Sequence, residues 1–114
     1  MGDHAIDVGL EDFEAAVIER SQEVLVIVDF WAGWCGPCLR LGPVLEQWVA
    51  AGGGQWVLIK VDVDSNPELS QEFEVQGIPA VKAFRNGQVV AEFVGAQPRA
   101  FIEDWLRGLI SANG

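Results

Sequence analysis

Both cysteines of the chain, Cys35 and Cys38, fall in the stretch "WAGWCGPC", residues 31–38, with Gly36 and Pro37 between them. Two thiols at this spacing admit three chemistries: half of a metal site, a passive staple, or a reversible redox pair. A structural zinc site needs four N or S ligands, and its thiols normally recur as a second pair. Here there are two cysteines and one histidine, His4, close to the N-terminus, and no second cluster is spaced to complete a set. No metal is expected, and His4 reads as a solvent-exposed residue without a role. Between staple and redox pair, the spacing suits the redox pair better.

The compartment bears on that choice. At 114 residues the chain has room for one domain, residues 1–114, with a real core. Half of it is apolar and 21% is charged, the mark of a globular chain. Its net charge of −10, with no basic run, disfavours nucleic acid and anionic membrane surfaces as partners. The opening "MGDHAIDVGL" has neither the basic start nor the apolar segment of a secretory signal. No apolar stretch approaches the ~20 residues needed to span a bilayer. A reducing, cytoplasmic setting is expected, where a C-x-x-C pair is catalytic or metal-binding rather than structural.

The elements that must position the pair follow from periodicity. "DVGLEDFEAAVIERS" carries Leu10, Phe13 and Val17 at near-helical spacing, with acids early and Arg20 late. "EVLVIVDFW" is a β-rich apolar run suited to a strand buried on both faces. Leu41, Val44, Leu45, Trp48 and Val49 then mark a helix that stops at Gly52–Gly54. "WVLIKVDVD" is a second strand, and "SNPELSQEFEV" a short helix capped by Ser65 or Asn66 with Pro67 in its first turn. "AVKAF", Asn86-Gly87 and "QVVAEFVG" predict a hairpin, and "PRAFIEDWLRGLI" a final helix. The order is helix, strand, helix, strand, helix, hairpin, helix. The strand–helix–strand unit implies a right-handed parallel crossover, and the hairpin adds antiparallel strands. An α/β chain results: a central mixed sheet with helices on both faces.

The cysteines then sit directly after a buried strand, at the first turn of the next helix, where such folds present their ligand edge. Unpaired N–H groups and the positive end of the helix dipole favour a thiolate at Cys35 and make it the nucleophile. Cys38 lies one turn on, within reach of an S–S bond and turned inward. Pro37 stiffens the turn at no cost in N–H groups, and Gly36 lets a partner chain come close.

"VDFWAGWCGPC", Pro43 five positions later, "KVDVDSNPELSQEFEVQGIP", "FRNG" and "FVGA" follow one another in order, and from about Ile6 to Ile110 the chain resembles the thioredoxin family. The resemblance implies a thioredoxin fold and reduction of disulfides in other proteins, with no cofactor in the chain itself. Electrons would come from NADPH through a separate flavoprotein resembling thioredoxin reductase, and the chain would act as a monomer. Cys35 corresponds to the attacking thiol and Cys38 to the resolving one, the two closing a disulfide between attacks. Asp29 resembles the family's buried aspartate; an acid inside so apolar a run is desolvated, holds its proton, and is placed to accept that of Cys38. Lys60 resembles the buried lysine beside it. Ile78-Pro79 resembles the loop with a cis-proline, where the Ile78 backbone pairs with an incoming extended peptide. Trp34, Gly77, Gly95 and Ala96 complete a shallow groove in this reading, while Trp31, Trp48, Trp56 and Trp105 are packing residues.

The chain departs from the family pattern at Ala80, Leu39, Gly33 and Lys82, which bears on substrate preference. A second reading comes from "GIPAVKAFRNG" and "VGAQP", which resemble thioredoxin domains fused to tetratricopeptide repeats. There the domain is chaperone-associated and acts mainly as a binding module.

Overall fold

The computed structural model describes residues 5–112, so His4 lies outside the described residues. Five strands form one sheet: β1 Ala5–Asp7, β2 Leu25–Trp31, β3 Trp56–Asp62, β4 Ala80–Arg85 and β5 Gln88–Val94, in the order β1-β3-β2-β4-β5. β1, β3 and β2 run parallel, and β4 and β5 join antiparallel. The helices are α1 Leu10–Phe13, α2 Gly36–Ala51, α3 Pro67–Glu72 and α4 Arg99–Ala112. Strand alternation on central β2 divides the core. Val26, Val28 and Phe30 pack with Phe13, Val17 and Leu69 on the α1/α3 side. Leu25 and Ile27 meet Leu41, Leu45, Val49, Ile102 and Leu106 on the α2/α4 side. Burial of each such side chain contributes roughly 1.5–3 kcal/mol, so neither face can be stripped without loss of the sheet.

Every expected element is present, and one more. β1 was not expected: three residues with no alternation of their own, held in parallel register on β3 through Ala5↔Leu58 and Asp7↔Lys60. The first expected helix is irregular. After α1 the backbone widens into a π-helical segment at Glu14–Glu19 and tightens to a 3₁₀ turn at Arg20–Gln22. Phe13 and Val17 face the core as expected, but Leu10 stays 46% exposed. Asn66 does stand at the N-cap of α3, yet its side chain does not cap that helix. Its Oδ1 accepts from the Leu10 N–H at 3.0 Å and its Nδ2 donates to the Asp62 carbonyl at 3.1 Å, so it pins α1 to the end of β3. The hairpin turn has the left-handed backbone that Asn-Gly supplies, with φ of 54° at Asn86 and 78° at Gly87. Trp56 is buried, and Trp48 and Trp105 pack against the α2/α4 core from its edge.

Candidate active site

β2 ends at Trp31, and the chain turns through Ala32–Trp34 into α2. Cys35 is the N-cap of that helix; Gly36 and Pro37 are its first, exposed residues. The two cysteines are joined by a disulfide, with Cα atoms 5.2 Å apart. Cys38 donates its backbone N–H to Cys35 Sγ at 3.2 Å. The sulfur of Cys35 therefore occupies the place of a capping oxygen, where the dipole of a 16-residue helix favours negative charge. Both residues are buried, Cys35 at 5% and Cys38 at 2% exposure, and they cluster with Ala32, Trp31, Val63 and Ile78.

The structure brings Ile78 to this pair: its carbonyl oxygen lies 3.8 Å from Cys35 Sγ, and the Ile78–Pro79 peptide is cis. The Pro79 carbonyl accepts the Gly95 N–H at 2.8 Å, so the loop after β5 is tied to the cis-proline loop. A side chain at Gly77 would touch Val94 Cγ1 at 3.5 Å, closing the same seam. Ala96 is exposed and follows Gly95 on that loop. Trp34 is 71% exposed, with its indole N–H held by Asp64 Oδ2 at 2.8 Å. Trp34 and Ile78 line a shallow hollow of about 340 Å³ whose far wall is Pro67, Ser70 and Val75. That wall, contributed by α3 and the segment after it, escaped the sequence reading because those residues signalled only a helix start.

Beneath the helix lies Asp29. It is fully buried in β2 on the α2/α4 side, and both carboxyl oxygens lack a hydrogen-bond partner among the described residues. Burial pushes its carboxyl up from 3.8 to about 7; the Lys60 charge pulls it down in part, and the Glu46 charge pushes it up. Lys60 is its register partner on β3, as expected for a neighbour. The ammonium, however, goes elsewhere: it bonds Glu46 Oε2 of α2 at 3.0 Å and stands 4.8 Å from the centre of the Trp31 ring. Glu46 was missed in the sequence, since nothing in a helical acid announces a partner 14 residues away on a strand. Such an arrangement provides a sulfur at a helix start, a second sulfur under it, an extended backbone edge, and a carboxyl able to hold or release a proton near neutral pH.

A family model described as Thioredoxin matches residues 5–108. The chain is 46% identical over 99 residues to the mitochondrial thioredoxin of Mus musculus, covering 87% of this chain and 58% of that one. It is 43% identical over 90 residues to thioredoxin C-2 of Corynebacterium nephridii, with 79% and 82% covered. A bifunctional thioredoxin reductase/thioredoxin of Mycobacterium leprae matches at 44% over 95 residues, 83% of this chain and 20% of that one. The chain thus spans somewhat over half the length of the mitochondrial relatives it matches. It belongs to the thioredoxin family, and its five-stranded mixed sheet with helices on both faces is the family's fold.

Proposed function

We propose that this member of the thioredoxin family is a thiol–disulfide oxidoreductase that reduces disulfides in other proteins through the pair Cys35–Gly36–Pro37–Cys38. The observation that carries the reading is the placement of Cys35 Sγ, capping α2 and facing the Ile78 carbonyl beside cis-Pro79. In the reduced protein the Cys35 thiolate attacks one sulfur of a substrate disulfide. A mixed disulfide forms and the other substrate sulfur leaves as a thiolate. Cys38 then loses its proton, attacks Cys35 Sγ, and expels the second substrate sulfur. Two electrons pass to the substrate and the Cys35–Cys38 disulfide closes.

The proton of Cys38 needs an acceptor inside the protein, and Asp29 is assigned that role. Its carboxyl has no competing hydrogen bond among the described residues and an affinity for protons near neutrality. Lys60 tunes it by charge. Trp34, Gly77, Ile78, Pro79, Gly95 and Ala96 form the surface on which an extended substrate segment adds to the Ile78 backbone. Re-reduction is assigned to a separate flavoprotein reductase using NADPH, in line with the relative whose name joins thioredoxin reductase to thioredoxin. The chain itself needs no cofactor in this scheme and works as a monomer in a reducing compartment, the cytoplasm.

Insulin-type disulfide reduction with NADPH and a thioredoxin reductase tests the reading. Sustained NADPH consumption that disappears in Cys35→Ser is the expected result. Slow turnover together with strong suppression of client aggregation would instead favour the chaperone-associated binding module.

A further inference from the structure

Lys60 and Asp29 face each other across the β2–β3 ladder on the same side of the sheet. Adjacent strands lie ~4.8 Å apart, and a lysine stem is long enough to bring its ammonium onto a neighbouring carboxyl. That pair would satisfy the buried acid, and it is not made. The ammonium rises instead toward α2, where Glu46 Oε2 takes it at 3.0 Å. Gly42 makes the room: a Cβ built there would already touch Lys60 Nζ at 3.5 Å and Glu46 Oε2 at 3.9 Å. The face of the Trp31 ring supplies the third wall.

We propose that Glu46 is a positioning residue, holding the Lys60 ammonium in a notch of α2 so that it stays off the Asp29 carboxyl. The inference rests on the proposed role of Asp29 as proton acceptor. An acid bonded to an ammonium is a carboxylate at every working pH but a weak base; one without that bond takes a proton near neutrality. Glu46 acts through Lys60, and the Lys60–Glu46 pair keeps Asp29 fit for proton transfer. The charged groups acting on Asp29 are Lys60 from β3 and Glu46 from α2. β4 sets uncharged Val81 beside it, α4 contributes Ile102 and Leu106 to that face, and the cysteines carry no proton in the disulfide form.

Carbon-13 NMR titration of the Asp29 carboxyl in the oxidised protein tests this, in wild type, Glu46→Gln, Glu46→Asp, Lys60→Met and the double variant Lys60→Met/Glu46→Gln. Glu46 is half-exposed, so its variants are expected to fold. In Glu46→Gln the midpoint of Asp29 should fall by about 1–3 pH units, as for a carboxyl given a close cation. Glu46→Asp should restore part of the wild-type value. On the Lys60→Met background the same Glu46→Gln change should move the midpoint by a small fraction of that amount. An equal fall in both backgrounds would overturn the proposal, because Glu46 would then act by its own field alone. No fall in either would overturn it as well. The titration needs no turnover: a shift as expected in a protein that reduces no disulfide would leave the positioning role standing and the proposed activity refuted.

Discussion

Two buried charges lie on opposite faces of the sheet, and the protein treats them differently. Lys82 of β4 alternates with Val81 and Ala83 and so belongs to the α1/α3 side; its side chain is 10% exposed. It stands next to Glu92 in the β4–β5 register and bonds Glu92 Oε1, which reaches solvent at 56% exposure. Asp29 on the other face is more deeply buried and has no hydrogen-bond partner among the described residues. A buried charge with a partner is a structural matter, since its cost is largely offset where it stands. A buried acid without one is left to hold a proton, and holding a proton is chemistry. The contrast separates the face that works from the face that supports.

The sharpest test of that division is activity. Cys35→Ser should abolish disulfide reduction, Cys38→Ser should trap mixed disulfides with substrates, and Lys82→Met should leave turnover within about twofold. Faster alkylation of Cys38 than of Cys35 at mildly acid pH would reverse the assignment of the two thiols.

Next in size is the response of stability to pH. The folded Asp29 carboxyl titrates at about 7 and the unfolded one near 3.8, so the native state holds a proton that the unfolded state releases. The associated stability is complete below about pH 4 and is lost as pH rises through about 7. Over that window the loss amounts to roughly 4 kcal/mol at ~1.4 kcal/mol per pH unit. Asp29→Ala forgoes the loss and leaves a small void at roughly 1 kcal/mol. It should be more stable than wild type at pH 8 by about 3 kcal/mol, near parity at pH 5, and slower in reducing substrates. Denaturant melts at the two pH values check the sign; equal destabilisation at both would remove Asp29 from its role.

A smaller effect is expected on the supporting face. Glu92→Ala strands Lys82 and should cost about 1–2 kcal/mol, less than for a fully buried pair because Glu92 reaches water. Smallest of all, Lys82→Met should change stability by under about 1 kcal/mol, because it removes the charge together with its need for a partner. A penalty at either residue in urea melts as large as the Asp29 effect would erase the distinction between the faces.

How much of this was legible in the sequence depended on whether a signal was local. Asp29 was legible because an acid stood inside an unbroken apolar run, and Cys35 because a C-x-x-C pair followed a strand. The hairpin was legible because Asn86-Gly87 specifies its own turn. Lys60 was half legible: the family resemblance set it beside Asp29, but the destination of its ammonium depended on a glycine notch in another element. Glu46 was invisible for the same reason. β1 has no pattern of its own and exists only because β3 offers an edge. Asn66 carried a genuine cap signal, yet its side chain is drawn to the Leu10 N–H, a donor 56 residues away.

The glycine turn that ends α2 has a practical consequence. Gly53 and Gly54 both adopt positive φ, and among the described residues nothing lies within 4 Å of a Cβ built at either. At ~1.5 Å per residue, the 16 residues of α2 place this turn about 24 Å from the sulfur at the other end of the helix. The molecule thus has a working end and a handle end joined by one helix. A tether, label or inserted peptide fixed at the handle would present every copy on a surface with its reactive sulfur facing outward.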